Sequence, residues 1–368
     1  MKVRYSYLPE QFAEIDDLIA EIRRFVPTGD FTLGKPLAEF ERRFAAMIGA
    51  RHAIGVGSGT DALKLALRAA GVGHGDEVIT AANTFIATVG AIIEIGARPV
   101  FVECDDSFCL DVCQVESRIG AKTRAIVPVH LTGNMVDMPA LMAVASARGI
   151  PVVEDAAQAI LARVAGRNAG LWGRAAAFSL HPLKNLNVWG DGGVIATDDD
   201  AMDRTLRLLR NHGLKSRDEV AMPGYNSRLD SLQAIVGNWL IGRVEAITAK
   251  RIENAHYLDR GLAQIPGVRV PPRPAGMRSV FHIYMIFAER RDELLRHCLA
   301  AGIESKIHYP IPLYRQEGLR FLGYPAGAFP VTDRHAGSII SFPADQHLGP
   351  AELDQVIAAV RDFYGRSR

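Results

Sequence analysis

The chain has 368 residues, 48% hydrophobic and 23% charged, with 42 basic against 41 acidic side chains and a formal net charge of +1. That near balance excludes the basic footprint of a nucleic-acid binder and the polybasic tail of a membrane-surface protein. No stretch is long and apolar enough to span a bilayer, and the length exceeds one ordinary core, so two domains are expected.

The N-terminus, "MKVRYSYLPEQFAEIDDL", turns acidic where a signal peptide would be apolar, which predicts a cytoplasmic protein. From Ala53 onward, strand-like and helix-like segments alternate. "AIGVGS" reads as a strand. "TDALKLALRAAG" reads as a helix with Ala62, Leu63, Ala66, Leu67 and Ala70 on one face, capped by Ser58 or Thr60 and stopped at Gly71. "DEVIT", "TFIATVGAIIEIG" and "ARPVFVEC" continue as strand, helix, strand. "RAIVPVHL", "MPALMAVASARG", "IPVVED", "AAAFSL" and "GGVIAT" carry the alternation to about Val194.

Short apolar strands without clean alternation imply burial on both faces. Strands and helices taking turns imply a mostly parallel sheet with crossover helices, which binds ligands beyond the carboxyl ends of its strands. "DSLQAIVGNWLIGRVEAITAKRIENAHYLDRGLAQI" then reads as one or two long helices, and "PGVRVPPRPAG" as a Pro- and Gly-rich break. "VFHIYMIFAE", "DELLRHCLAAG", "IESKIHY" and "PAELDQVIAAVRDFY" form a smaller α/β unit. The expected division is a large domain over residues 1–245 and a small one over 246–368. Cys104, Cys109 and Cys113 cluster with no histidine at a zinc-like spacing, so they read as unpaired thiols and no metal is expected.

Three motifs fall at strand ends. In "GVGSGTDAL" the glycines give G-x-G-x-G, which is neither a dinucleotide fingerprint nor a phosphate loop. It is either a tight strand-to-helix turn or an anion site built from free amides and a helix dipole at Ser58 to Asp61. In "PVVEDAAQA", Glu154 and Asp155 follow a buried strand, and Gln158 comes one turn later. Asp155 is either a cap or an acceptor for a cationic ring nitrogen. In "FSLHPLKNLNVWGDGG", Lys184 stands between two apolar strands. It is either a solvated surface group or a buried amine of lowered pKa, nucleophilic toward an aldehyde. A carbonyl cofactor explains all three motifs at once, and pyridoxal phosphate needs this set: an amine, a carboxylate for its pyridinium and a phosphate cup.

The order of phosphate turn, strand-end aspartate and lysine resembles the fold type I (aspartate aminotransferase-like) enzymes. The chain is more closely similar to the DegT/DnrJ/EryC1/StrS family of sugar aminotransferases. The resemblance is carried by "FTLGKPLAEFERRFA", "GSGTDALKLALRA", "GDEVITAANTFIATVGAI", "VEDAAQA", "GDGGVI", "YNSRLDSLQA" and "IHYPIPL". It implies that Lys184 binds the aldehyde of pyridoxal 5'-phosphate covalently, Asp155 keeps the ring nitrogen protonated, and Gln158 faces the ring hydroxyl. Phe85 would lie against the ring, Thr60, Asp61 and Ser179 would frame the phosphate, and Asn226 would reach the phosphate of the neighbouring subunit in a homodimer with shared sites. Leu183 and Trp189 depart from the family's usual residues and bear on pocket shape.

Lysine, rather than the histidine of dehydrating relatives, implies transamination, with glutamate as donor and a nucleotide-linked sugar ketone as acceptor. "IHYPIPL" resembles the form found in 3-amino-sugar enzymes, which points to a 3-keto-6-deoxyhexose. A 4-keto sugar, a cyclitol ketone, a sugar dehydratase and a non-catalytic regulator are the alternatives. Phe31, His282, His308 and Tyr309 are the expected substrate contacts, with His282 equally readable as a core histidine.

Overall fold

A computed structural model describes residues 2–365. Helix α1 (Lys35–Ile48) leads into strand β1 (His52–Val56), and α2 (Gly59–Ala69) starts where Ser58 Oγ accepts the Asp61 amide at 3.1 Å. Helix α3 (Ile86–Glu94) stands between strands β2 (Glu77–Ala81) and β3 (Arg98–Val102). Four further strands follow: β4 (Thr123–Val127), β5 (Val153–Asp155), β6 (Ala175–Ser179) and β7 (Gly193–Thr197).

These seven strands run side by side in the order β3-β2-β4-β5-β6-β7-β1. β4 and β5 join through the parallel bridges Ile126–Val152 and Val129–Asp155. The pairs from β3 to β6 are parallel, and β7 is antiparallel to both β6 and β1. Ala53, Ile79, Ala176, Val194 and Ala196 face one apolar core, while Ile54, Val56, Val78, Ala175, Ala177 and Ile195 face another. The sheet is therefore buried on both sides, and only its strand ends are free to meet a ligand.

Past the sheet lie α4 (Ser231–Ile241) and α5 (Val244–Leu262), two helices parted at Gly242. Three antiparallel strands follow, ordered β8 (Val268–Arg269), β9 (Tyr284–Ala288) and β10 (Ile339–Phe342). They share a separate core with α5, α6 (Arg291–Ala300) and α7 (Pro350–Gly365). Val3 sits in that separate core, bridged to Ile303, so the N-terminal segment touches the C-terminal elements before it meets the sheet. No helix among the described residues is long and apolar enough to cross a membrane. Cys104, Cys109 and Cys298 are buried, Cys113 is exposed, and all four are unpaired. The described residues contain no cluster of three or more potential metal ligands.

Candidate active site

A cavity of about 440 Å³ opens at the carboxyl ends of β5 and β6 and is closed on its far side by residues 281–284, 306–309 and 342–345. Its size is that of an ordinary small-molecule site. Thr60, Phe85, Asp155, Gln158, Ser179, Lys184, His282, His308 and Tyr309 all line it.

The anion end is made of backbone. Ser58, Gly59 and Thr60 open α2, where unpaired amides and the helix dipole favour negative charge. Two glycines are forced there by close approach. A Cβ on Gly59 would stand 2.8 Å from Ser179 Cβ, and one on Gly193 would stand 2.2 Å from the Ser58 carbonyl oxygen. The turn is thereby pressed against β6 and β7, and the hydroxyls of Thr60 and Ser179 complete the cradle.

At the other end, successive residues of β5 point to opposite faces. Glu154 turns inward and is wholly buried. It accepts the amides of Gly170, Trp172 and Gly173 at 2.9, 2.8 and 2.8 Å and pairs with His130 Nε2 at 3.0 Å. Burial works against its charge, but these partners outweigh burial and hold it below the usual carboxylate range. Asp155 turns to the cavity. Its Oδ2 accepts the Thr88 hydroxyl at 2.7 Å and its Oδ1 the Ala157 amide at 3.1 Å. Burial nevertheless pushes its carboxyl up, which is the signature of an acceptor that lacks a full cationic partner.

Lys184 follows β6 in the turn "HPLKN". Burial lowers its amine from 10.5 to about 8, with Asp155 pulling the other way. Its Nζ lies 3.4 Å from His282 Nε2. Burial, then the charge of Lys184, holds His282 well below its ordinary value, so this imidazole is neutral beside the amine. His282 is delivered by Phe281, whose φ of +46° lies in the left-handed region that non-glycine residues seldom enter. Gln158 Oε1 accepts the Thr132 amide at 2.6 Å, which fixes the side chain beside Tyr309. Burial pushes the Tyr309 phenol up to about 12, and its ring is tilted against Phe85 at 5.8 Å. Burial, followed by Lys306, lowers His308 to about 4.

Three expected site residues lie outside this wall. Asp61 turns its carboxylate to Ser227 Oγ (2.8 Å) and Lys64 Nζ (2.6 Å), because its position on α2 faces away from the cradle. Phe31 packs edge-on against Phe25, far enough out that 44% of it is exposed. Asn226 bridges to Asn211 in the loop after Leu209 and does not meet this chain's own cavity. Conversely, Thr88, Tyr5, Tyr7 and Arg251 line the cavity without having been singled out in the sequence. Thr88 carried a signal in hindsight, since it sits one helical turn into the segment that begins "NTFIAT" at a strand end. Tyr7 and Arg251 carried none, because each reaches the site only through tertiary packing.

The donor set fits a cofactor with an aldehyde, a basic ring nitrogen and a phosphate: amine, under-paired carboxylate and anion cradle share one wall. The sequence profile of the DegT/DnrJ/EryC1/StrS aminotransferase family matches residues 13–361. The chain is 42% identical over 365 residues to the dTDP-3-amino-3,4,6-trideoxy-alpha-D-glucose transaminase of Micromonospora megalomicea subsp. nigra, covering 97% of each. Its fold is similar to that of S. venezuelae DesV in complex with a ketimine intermediate, with a TM-score of 0.96 and 39% identity over 99% of this chain and 98% of that one. It is also similar to NtdA from Bacillus subtilis with bound cofactor PMP, with a TM-score of 0.92 and 27% identity over 99% of this chain and 85% of that one. The chain belongs to the DegT/DnrJ/EryC1/StrS aminotransferase family and is a pyridoxal-phosphate-dependent aminotransferase of fold type I.

Proposed function

We propose that this aminotransferase moves an amino group from glutamate to the C3 ketone of a nucleotide-linked 6-deoxyhexose. The observation that carries the reading is the placement of Lys184, with its amine lowered to about 8, in one cavity with the under-paired Asp155. Similarity to a transaminase of a dTDP-linked 3-amino sugar supports the choice of acceptor.

When bound, pyridoxal phosphate supplies an aldehyde that condenses with amines and a ring that takes up the electron pair left when a carbon loses its proton. With the cofactor bound, Lys184 Nζ would hold its aldehyde, and once released by the donor's amine it would be the base placed to take up and return the proton of the donor's α-carbon. The acceptor ketone runs the same transfers in reverse, which predicts ping-pong kinetics. Asp155 would face the ring nitrogen and favour its protonated form, Gln158 would donate to the ring hydroxyl, Phe85 would cover the ring face, and the amides at Ser58 to Thr60, with the hydroxyls of Thr60 and Ser179, would bind the phosphate. Neutral His282, 3.4 Å from Nζ, would hydrogen-bond the amine and hold its position. His308 and Tyr309 contact the sugar.

The working unit in this reading is a cytoplasmic homodimer with composite sites. Phe85 lines the cavity yet is 52% exposed, and Phe31, Leu33, Ile86 and Leu232 are exposed as well. Such apolar surface suits burial against a second copy. Asn226, exposed and outside the lining of its own cavity, would then reach the partner's phosphate. In this reading a cofactor-binding unit spans residues 1–245 and a smaller unit 246–368, with helix α5 crossing the boundary and Val3 packed into the smaller unit's core. Borohydride reduction of the holoprotein followed by peptide mapping tests the site: attachment at Lys184 supports it, and attachment at another lysine refutes it.

A further inference from the structure

Lys184 is held from an unexpected direction. The N-terminal segment is first fixed to the C-terminal elements: Val3 and Gly302–Glu304 exchange backbone hydrogen bonds, the Tyr5 amide donates to Glu304 at 2.9 Å, and Lys2 pairs with Glu304 at 2.8 Å. Tyr7, 5% exposed, then sends its phenol to the carbonyls of Leu183 and Lys184 at 3.0 and 3.1 Å. The face of its ring carries the Arg251 guanidinium, 4.7 Å from the centroid.

A second path closes the loop. Arg251 Nε donates to Gln346 Oε1 at 2.9 Å, Gln346 Nε2 to Gln11 Oε1 at 3.0 Å, Gln11 Nε2 to Asn187 Oδ1 at 2.9 Å, and Asn187 Nδ2 to the Lys184 carbonyl at 2.9 Å. Every amide in this relay points the same way, away from the buried guanidinium, so each bond polarises the next. Gln11, Asn187 and Arg251 are 8%, 0% and 3% exposed, which leaves little water to compete. Asn185 adds a strut by donating to the Val280 carbonyl at 3.2 Å, two residues before His282.

We infer that Tyr7 and Gln11 are positioning residues for the cofactor lysine, clamping the Lys184 backbone between the N-terminal segment and the C-terminal elements. The inference rests on the reading that Lys184 carries the cofactor. A long side chain multiplies any tilt of its backbone at Nζ, and near-attack geometry tolerates little displacement. The lysine turn alone, closed by the Lys184 amide on the His181 carbonyl and the Val188 amide on the Leu180 carbonyl, fixes its own hydrogen bonds but not its tilt relative to residues 281–284. The clamp fixes that tilt.

Tyr7→Phe removes one oxygen, and Gln11→Leu removes both relay bonds at nearly constant volume. Hydrogen exchange of the holoprotein over residues 181–190 should quicken roughly fivefold for each lost bond. In cofactor-free protein, attachment of pyridoxal phosphate at Lys184, trapped by borohydride, should slow several-fold. The glutamate half-reaction should lose rate at saturation with its KM unchanged, a split that general destabilisation would not produce. If both variants fold and leave exchange and attachment as in the parent, the inference is overturned. If Gln11→Leu fails to fold, Tyr7→Phe decides alone. If the parent protein attaches the cofactor elsewhere, the reading of Lys184 falls, and exchange over 181–190 still reports whether the clamp exists.

Discussion

The lowered amine of Lys184 has a consequence that is measurable without substrate. With a value of about 8 in place of 10.5, roughly a tenth of the amine is neutral at pH 7, against about 3 in 10,000 for an ordinary lysine. Lys184 in cofactor-free protein should therefore present roughly 300-fold more neutral amine at pH 7 than its ordinary value would allow, and react faster with an aldehyde, by less than that ratio because a less basic amine is intrinsically a weaker nucleophile. The direction with pH follows from the same shift: reactivity rises as pH climbs toward 8 and flattens above it. Lys215, exposed and paired with Glu219 at 3.1 Å, serves as a surface lysine for comparison in the same sample. The assay mixes cofactor-free protein with pyridoxal phosphate across pH 6 to 10, quenches with borohydride and counts modified peptides by mass spectrometry. Asp155→Asn sharpens the test. Asp155 pulls the Lys184 amine upward, so its neutral replacement should move the midpoint below 8. A Lys184 reactivity no greater than that of Lys215, or a midpoint that rises in Asp155→Asn, would refute burial as the source of the activation.

Glu154→Gln should cost roughly 3 kcal/mol near pH 7, read from denaturant unfolding, because a wholly buried carboxylate with four partners loses its charge. The folded carboxyl lies below its ordinary value of 4.5, so its stabilisation is present above that value and fades as pH falls through the folded one; the gap to the variant should close in that range. Gly193→Ala should weaken cofactor binding at least tenfold in a fluorescence titration, since its Cβ would displace the Ser58 carbonyl from 2.2 Å and open the cradle. Lys184→Ala and Asn226→Asp, each inactive alone, should recover activity when unfolded and refolded together if Asn226 serves the partner's site; a mixture that stays inactive places both residues in the same site.

The strand-and-helix alternation was readable because each apolar run is short and each helix has its own stop, as Gly71 shows after α2. The reversed direction of β7 was not, since a buried antiparallel strand has the same apolar composition as a parallel one. The lining of the cavity was legible where it clustered in sequence at strand ends, at Ser58–Thr60, Asp155–Gln158 and Ser179–Lys184. Glu154 and Asp155 could not be told apart by type, and only the two-residue period of β5 sends one to the core and the other to the cavity. Tyr7, Gln11 and Arg251 stayed hidden because hydrogen bonds spanning 95 to 335 positions along the chain leave no local pattern. Asp61 lies outside the cavity lining for the opposite reason: adjacency to Thr60 says nothing about which face of a helix a side chain takes.

The visible absorption spectrum of the holoprotein, recorded before and after glutamate and again after a nucleotide-linked 3-keto-6-deoxyhexose, tests the central claim most directly. Glutamate should consume the absorption of the cofactor's aldehyde form and release one 2-oxoglutarate per chain, and the sugar should restore that absorption with formation of the 3-amino product. A spectrum indifferent to glutamate, or one restored only by a ketone that is not a nucleotide-linked sugar, would contradict it.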